Sequence, residues 1–125
     1  MRQKIDKNGK DPIDMLHDLF KRQRELSLAL GDDFSKMSLE EKENYTKDKV
    51  LAMLDETHEV LREINWKSWK KTKKEIDQEH LLEELADTLH FYINLCLCWG
   101  FSAEDVYSAY IEKDKENYER IKKAY

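Results

Sequence analysis

From Gln78 to Trp99 the chain runs without a glycine, a proline, a lysine or an arginine. Wound at about 100° per residue, Leu81, Leu82, Leu85, Ala86, Leu89, Ile93, Cys96 and Leu97 cover most of the circumference of a helix. Glu84, Phe91 and Leu95 fall on one line of it with Asp87 alongside. A helix this apolar all round is expected to be buried. Two acids on it then need a partner, because an uncompensated buried charge costs about 3–5 kcal/mol or is neutralised by a raised pKa. The segment itself offers no lysine or arginine, so the rest of the fold must bury the helix and answer its carboxylates.

The remaining sequence supplies further helices. Three glycines and one proline in 125 residues leave few places to turn, and 39% charged against 40% hydrophobic residues describes many solvated helix faces. One all-α domain over 1–125, of four-helix-bundle type, is expected. Pro12 with Asp11 as cap predicts the start of a first helix and Gly31 its end, with Ile13, Leu16, Leu19, Phe20, Leu26 and Leu30 on one face and a single amide, Gln23, interrupting it. Ser38 and Glu41 have the spacing of a capping box and open a second helix, whose stripe of Val50, Leu54, Leu61 and Ile64 continues to about Asn65. The basic stretch Trp66 to Lys74 reads as a connection. Asp77 caps the third helix, Gly100 ends it, and Ser102 to Asp105 repeats the capping signal before a fourth helix carrying Val106, Ala109, Tyr110 and Ile121.

A formal charge of -5 argues against loose electrostatic binding to nucleic acid or anionic membrane. No apolar run approaches the ~20 residues that span a bilayer, and the polar N-terminus lacks a signal-peptide core, so a cytoplasmic protein is expected. Cys96 and Cys98, two apart on a helix, point to different sides and read as reduced core thiols.

On the second helix Glu56 and Glu59 lie three residues apart on one side, at the border of the apolar stripe, with Glu63 further along. Facing Glu84 and Asp87 they add acid to acid, which leaves divalent cations as the natural partner. Oxygen donors without cysteine select hard ions, Mg²⁺ or Mn²⁺, and Mg²⁺ prefers a few carboxylates plus phosphate and water. That composition points to phosphate chemistry. A di-iron centre also uses inward carboxylates, but Asp55-x-x-His58 and Asp87-x-x-His90 carry Asp where such centres carry Glu, and the other two helices supply no evident inward Glu. His58 and His90 are expected on the helix surface or behind the ligands, and His17 and His80 carry no functional reading.

Glu56-x-x-Glu59 followed on the next helix by Glu84-x-x-Asp87 resembles the metal site of the all-α nucleoside triphosphate pyrophosphohydrolases, the superfamily of MazG and the dimeric dUTPases. Further residues are similar to the dimeric dUTPase branch: Asp87-Thr88-Leu89-His90-Phe91, Trp66-Lys67-Ser68-Trp69-Lys70-Lys71, Leu19-Phe20-Lys21-Arg22-Gln23, and the spacing of Lys113, Asn117 and Arg120. Nearly the whole chain is covered, from about Ile13 to Arg120.

The resemblance implies hydrolysis of dUTP to dUMP and pyrophosphate. It implies Mg²⁺, with Mn²⁺ as the alternative ion, held by Glu56, Glu59, Glu84 and Asp87, and Glu56 is favoured as the base. Gln23, Trp69, Lys70, His90, Phe91, Lys113, Asn117 and Arg120 are then the expected substrate contacts, with Trp66 competing with Trp69 as the second aromatic beside the pyrimidine. A homodimer is expected, because Trp66, Trp69, Trp99, Phe101 and Tyr107 lie near element ends. The chain departs from the family pattern where Leu26 and Ser27 stand in place of an Asp or Asn, and where Ile121 replaces a Gln. It is also shorter than most dimeric dUTPases. A broader nucleotide preference, for dCTP or other pyrimidine triphosphates, is therefore the nearest alternative, and a non-enzymatic, metal-stabilised helical binding module is the alternative of another class.

Overall fold

The computed structural model describes residues 4–5 and 12–123. Four helices make up the fold: α1 (Met15–Ala29), α2 (Leu39–Arg62), α3 (Gln78–Cys98) and α4 (Ala103–Lys122). A short 3₁₀ turn, Phe34–Lys36, stands between the first two. An all-α architecture is what the scarcity of turn residues predicts. A two-residue antiparallel pairing of β1 (Lys4–Ile5) with β2 (Pro12–Ile13) precedes it, in register Lys4 with Ile13 and Ile5 with Pro12.

That pairing corrects the predicted start of the first helix. Pro12 and Ile13 are extended, Asp11 lies outside the described residues, and the cap is Asp14. The Asp14 carboxylate accepts from the Leu16 and His17 backbone N–H groups at 3.1 and 3.4 Å, and from His17 Nδ1 at 2.7 Å. It thereby answers donors at the new helix end that would otherwise lack partners.

The other boundaries follow their local signals. Ser38 and Ser102 each take part in a complete capping box, with Glu41 and Asp105 respectively, and Asp77 caps α3 through the His80 N–H. Gly31 and Gly100 adopt φ of 93° and 77°. At both, the residue after the glycine bonds back into the helix: Asp32 N–H to the Ser27 carbonyl at 2.8 Å, and Phe101 N–H to the Cys96 carbonyl at 2.9 Å. This is the Schellman arrangement, and its left-handed residue is one that glycine adopts without a Cβ penalty. The second helix stops at Arg62 with Glu63 as its C-cap, short of the expected Asn65.

Both α1 and α2 pack on α3, and α4 meets α1. The core is Phe20 from α1, Ile93, Cys96 and Leu97 from α3, and Ala103 from α4, flanked by the half-buried Leu16, Phe34 and Val106. Cys96 and Cys98 are free and buried, and burial pushes both thiols up in pKa. Only the C-terminal half of α3 is buried, however. Leu82, Leu85 and Leu89 are exposed in the half that carries the acids, which corrects the expectation of a helix buried all round. Likewise Tyr110 and Ile121 of α4 face outward, so that helix packs through its first turn alone.

Candidate metal centre

The carboxylates come from the two helices in closest partnership. Glu56 sits on α2, and Glu84 and Asp87 lie one turn apart on α3. One oxygen from each of the three falls within 4.8 Å of the other two, close enough to share an ion. Glu59, one turn from Glu56, is outside this group and accepts from Arg62 Nη1 at 2.7 Å. The Glu56 carboxyl is held above the ordinary carboxylate range, by desolvation first and then by the charges of Asp87, Glu84, Glu59 and Asp55. The donors in this group are all oxygens, so the residues fit a hard divalent cation such as Mg²⁺ or Mn²⁺.

A second group overlaps the first. His80 Nδ1 stands 2.6 Å from Glu63 Oε1, and its Nε2 stands 3.5 Å from Glu84 Oε1. Glu63 and Glu84 have largely buried side chains. The sequence had given His80 no role, and neither the acid spacing nor the apolar period marks it. Its partner Glu63 reaches it because the intervening connection is folded back: Asn65 Nδ2 donates to the Lys74 carbonyl and Asn65 Oδ1 accepts from the Lys74 N–H, both at 2.9 Å, while Lys74 Nζ donates to the Arg62 carbonyl.

Of the expected base contacts, Gln23 and His90 are brought together. Gln23 is 4% exposed, and its Oε1 accepts from His90 Nδ1 at 2.5 Å. One turn on, Ser27 Oγ donates to Asn94 Oδ1 at 2.6 Å. These two rungs form a polar seam between α1 and α3. Phe91 is half-buried on α3. Trp69 and Lys70 lie instead on the connection after α2, where Trp66 and Trp69 pack edge to face with ring centres 5.9 Å apart and Lys67 lies over the Trp66 ring. Trp66, Lys67 and Lys70, together with Arg62, Asn65 and Lys71, line a cavity of about 710 Å³, to which neither Trp69, Gln23, Phe91 nor the carboxylates contribute. Lys113, Asn117 and Arg120 are exposed on α4. Lys113 Nζ donates to Glu116 at 3.0 Å, and among the described residues no hydrogen bond or ion pair joins this stripe to the acids. His58 is exposed and belongs to neither ligand group.

The dUTPase family model matches residues 15–99, which hold all of α1, α2 and α3. The chain belongs to this all-α dUTPase family. It is also 34% identical over 71 residues to a dCTP pyrophosphatase of Enterobacteria phage LZ5, covering 48% of this chain and 41% of that protein. A dCTP pyrophosphatase of Enterobacteria phage T4 is 37% identical over 71 residues, covering 48% and 42%. The chain thus spans less than half the length of the curated relatives it matches. No solved structure matches it.

Proposed function

We propose that this chain is a divalent-cation-dependent nucleoside triphosphate pyrophosphohydrolase that cleaves dUTP between the α- and β-phosphates, releasing dUMP and pyrophosphate. The observation that carries the reading is the convergence of Glu56, Glu84 and Asp87 from α2 and α3 on one point, with Glu59 a turn away. Glu56, Glu84 and Asp87 would hold a hard divalent cation such as Mg²⁺, which would neutralise triphosphate charge and lower the pKa of a water. Glu56, which lies at the point of convergence, is assigned the attacking water's proton. Glu59 joins the ligands by releasing Arg62, a partly exposed ion pair that is cheap to break. Gln23 presents its amide to the pyrimidine edge and Phe91 its ring to the base face, while Lys113, Asn117 and Arg120 meet the phosphates.

The second reading is dCTP as substrate. The names of the two phage relatives favour it. A homodimer, cytoplasmic in location, completes the proposal: Leu82, Leu85, Leu89, Tyr107, Tyr110 and Trp69 form exposed apolar surface of the kind a second copy covers. Among the described residues no helix is long and apolar enough to cross a membrane.

Pyrophosphate release measured with Mg²⁺ against dUTP, dCTP, dTTP and dATP is the deciding experiment. Turnover of dUTP well above the others supports the reading, and preference for dCTP selects the second one. Equal rates on all four leave only the broader pyrophosphohydrolase, and no turnover on any favours a binding module.

A further inference from the structure

We propose that His80, backed by Glu63, is a positioning residue that orients the Glu84 carboxylate for cation binding. The inference rests on the proposed cation site and extends it to two residues outside the four acids.

The geometry is a chain of three side chains from both helices. Glu63, the C-cap of α2, stands 2.6 Å from His80 Nδ1, and His80 Nε2 faces Glu84 Oε1 at 3.5 Å. Glu84 is the residue common to this group and to the Glu56, Glu84 and Asp87 group. A carboxylate has two oxygens, so one can lean on His80 while the other is presented to the ion. Glutamate is a flexible ligand, and a side chain free to rotate binds an ion less tightly than one already held in place.

Three features suit His80 to that task. Its backbone is fixed, because its N–H donates to Asp77 Oδ1 at 3.1 Å in the cap of α3. Its ring is held on one side, because Glu63 meets the far nitrogen at a short distance, and the Glu63 backbone is itself held at the end of α2 by its N–H bond to the Val60 carbonyl. Its place serves as well: His80 stands between Glu63, which lies outside the Glu56, Glu84 and Asp87 group, and Glu84, which lies within it. Residues that hold ligands in this way typically affect metal affinity about 10–100-fold.

The test is Mn²⁺ binding to the full chain, followed by the loss of the free-ion paramagnetic resonance signal and needing no substrate. His80→Phe and Glu63→Leu are expected to weaken Mn²⁺ binding about 10–100-fold while leaving the number of ions bound unchanged. Glu63→Gln, which keeps an acceptor for the ring nitrogen, should retain more affinity than Glu63→Leu. In a turnover assay the same loss should appear as a higher Mn²⁺ concentration for half-maximal rate, with kcat recovered at saturating ion. Wild-type affinity in all three variants overturns the proposal, even where their melting temperatures fall, since that pattern marks a purely structural contact. Loss of one whole bound ion in His80→Phe overturns it too, because His80 would then be a ligand itself. A wild-type chain that binds no Mn²⁺ leaves His80 nothing to position and likewise refutes it. Should the wild type turn over no nucleotide yet show the His80 effect on Mn²⁺, the positioning role stands and the enzymatic reading fails.

Discussion

Replacing Gln23 with leucine separates what this residue does for the fold from what it does for the substrate. The amide offers two N–H donors and an oxygen with two acceptor sites. Among the described residues its one side-chain bond is from His90 Nδ1, although Gln23 is only 4% exposed. An amide so placed gains one hydrogen bond, worth about 0.5–1.5 kcal/mol, while its nitrogen is not among the buried atoms left without a partner. The net contribution is small. Leucine has a similar bulk, and the exposed His90 can turn its freed nitrogen to water, so Gln23→Leu should change stability by no more than about 1 kcal/mol in either direction. Gln23→Ala leaves a hole and should cost about 1–3 kcal/mol. The effect on catalysis should be far larger if the free amide nitrogen reads the base. A pocket built to hydrogen-bond its substrate loses at least about 100-fold when that bond is removed, about 2.7 kcal/mol of transition-state binding. Urea unfolding followed by circular dichroism gives the first quantity, and kcat/KM for dUTP gives the second, with the Mg²⁺ dependence as control. A Gln23→Leu variant that folds normally and keeps kcat/KM within about threefold of wild type would refute base recognition by Gln23. A stability loss above about 3 kcal/mol would instead make the amide a structural cross-link.

Glu84→Gln and Asp87→Asn should each abolish hydrolysis and keep the helical circular dichroism, and the ion-free variants should melt higher than the ion-free wild type because a like charge has left the cluster; near-native turnover in Mg²⁺ would contradict the site assignment. The bridge from His17 to Glu104 and Asp14, which joins α1 to α4, should make stability depend on pH. Hydrogen bonding to Glu104, then to Asp14, raises the His17 pKa above 6.5, so its contribution is full below 6.5 and lost as pH rises through the raised value. Asp14 and Glu104 are lowered from 3.8 and 4.5, chiefly by hydrogen bonding to His17, so theirs is full above those values and lost as pH falls through the lowered ones. The melting temperature of His17→Ala should therefore fall further below wild type at about pH 6 than at about pH 9, and equal differences would refute the bridge. Sedimentation at micromolar concentration should show a dimer, and a stable monomer would remove that part of the proposal.

Helix ends were the most legible part of this sequence because their causes are local. Ser38, Asp77 and Ser102 cap, and Gly31 and Gly100 stop, through bonds to residues a few positions away. The misplaced start of the first helix has the same explanation, since Asp11 and Asp14 both offer an acid before an apolar period. What decides between them is the pairing of Pro12–Ile13 with Lys4–Ile5, which no periodicity records. The acid spacing also placed Glu56, Glu84 and Asp87 on facing sides of two helices. By contrast, Glu63 with His80 and Ser27 with Asn94 are meetings in space between separate elements, the second across 67 positions, and nothing in either local stretch announces them. Ser27 could have been suspected on one ground: a hydroxyl in the middle of an apolar face must find a partner if it is buried.

The burial of α3 fails as a prediction for a reason that bears on the site. Apolar residues all round a helix state that it will be covered, not by which chain. From Ile93 to Cys98 the cover comes from α1, from the start of α4 and from α2, and that half is the core. From Leu82 to Leu89 the leucines are bare on the same helix that holds Glu84 and Asp87. A fully enclosed acid pair would carry the desolvation penalty that motivated the search for a counter-charge, and it would be closed to nucleotide as well. Exposure on one side lowers both obstacles for Glu56, Glu84 and Asp87, whose carboxylates converge there. The exposed leucines are then the cost of that opening, and a second copy laid over them would dry the flank of the site without blocking it. Under the proposed function such drying would strengthen the hold on a cation, because charge interactions grow as water is excluded. Assembly and cation affinity would then be set by the same half of one helix.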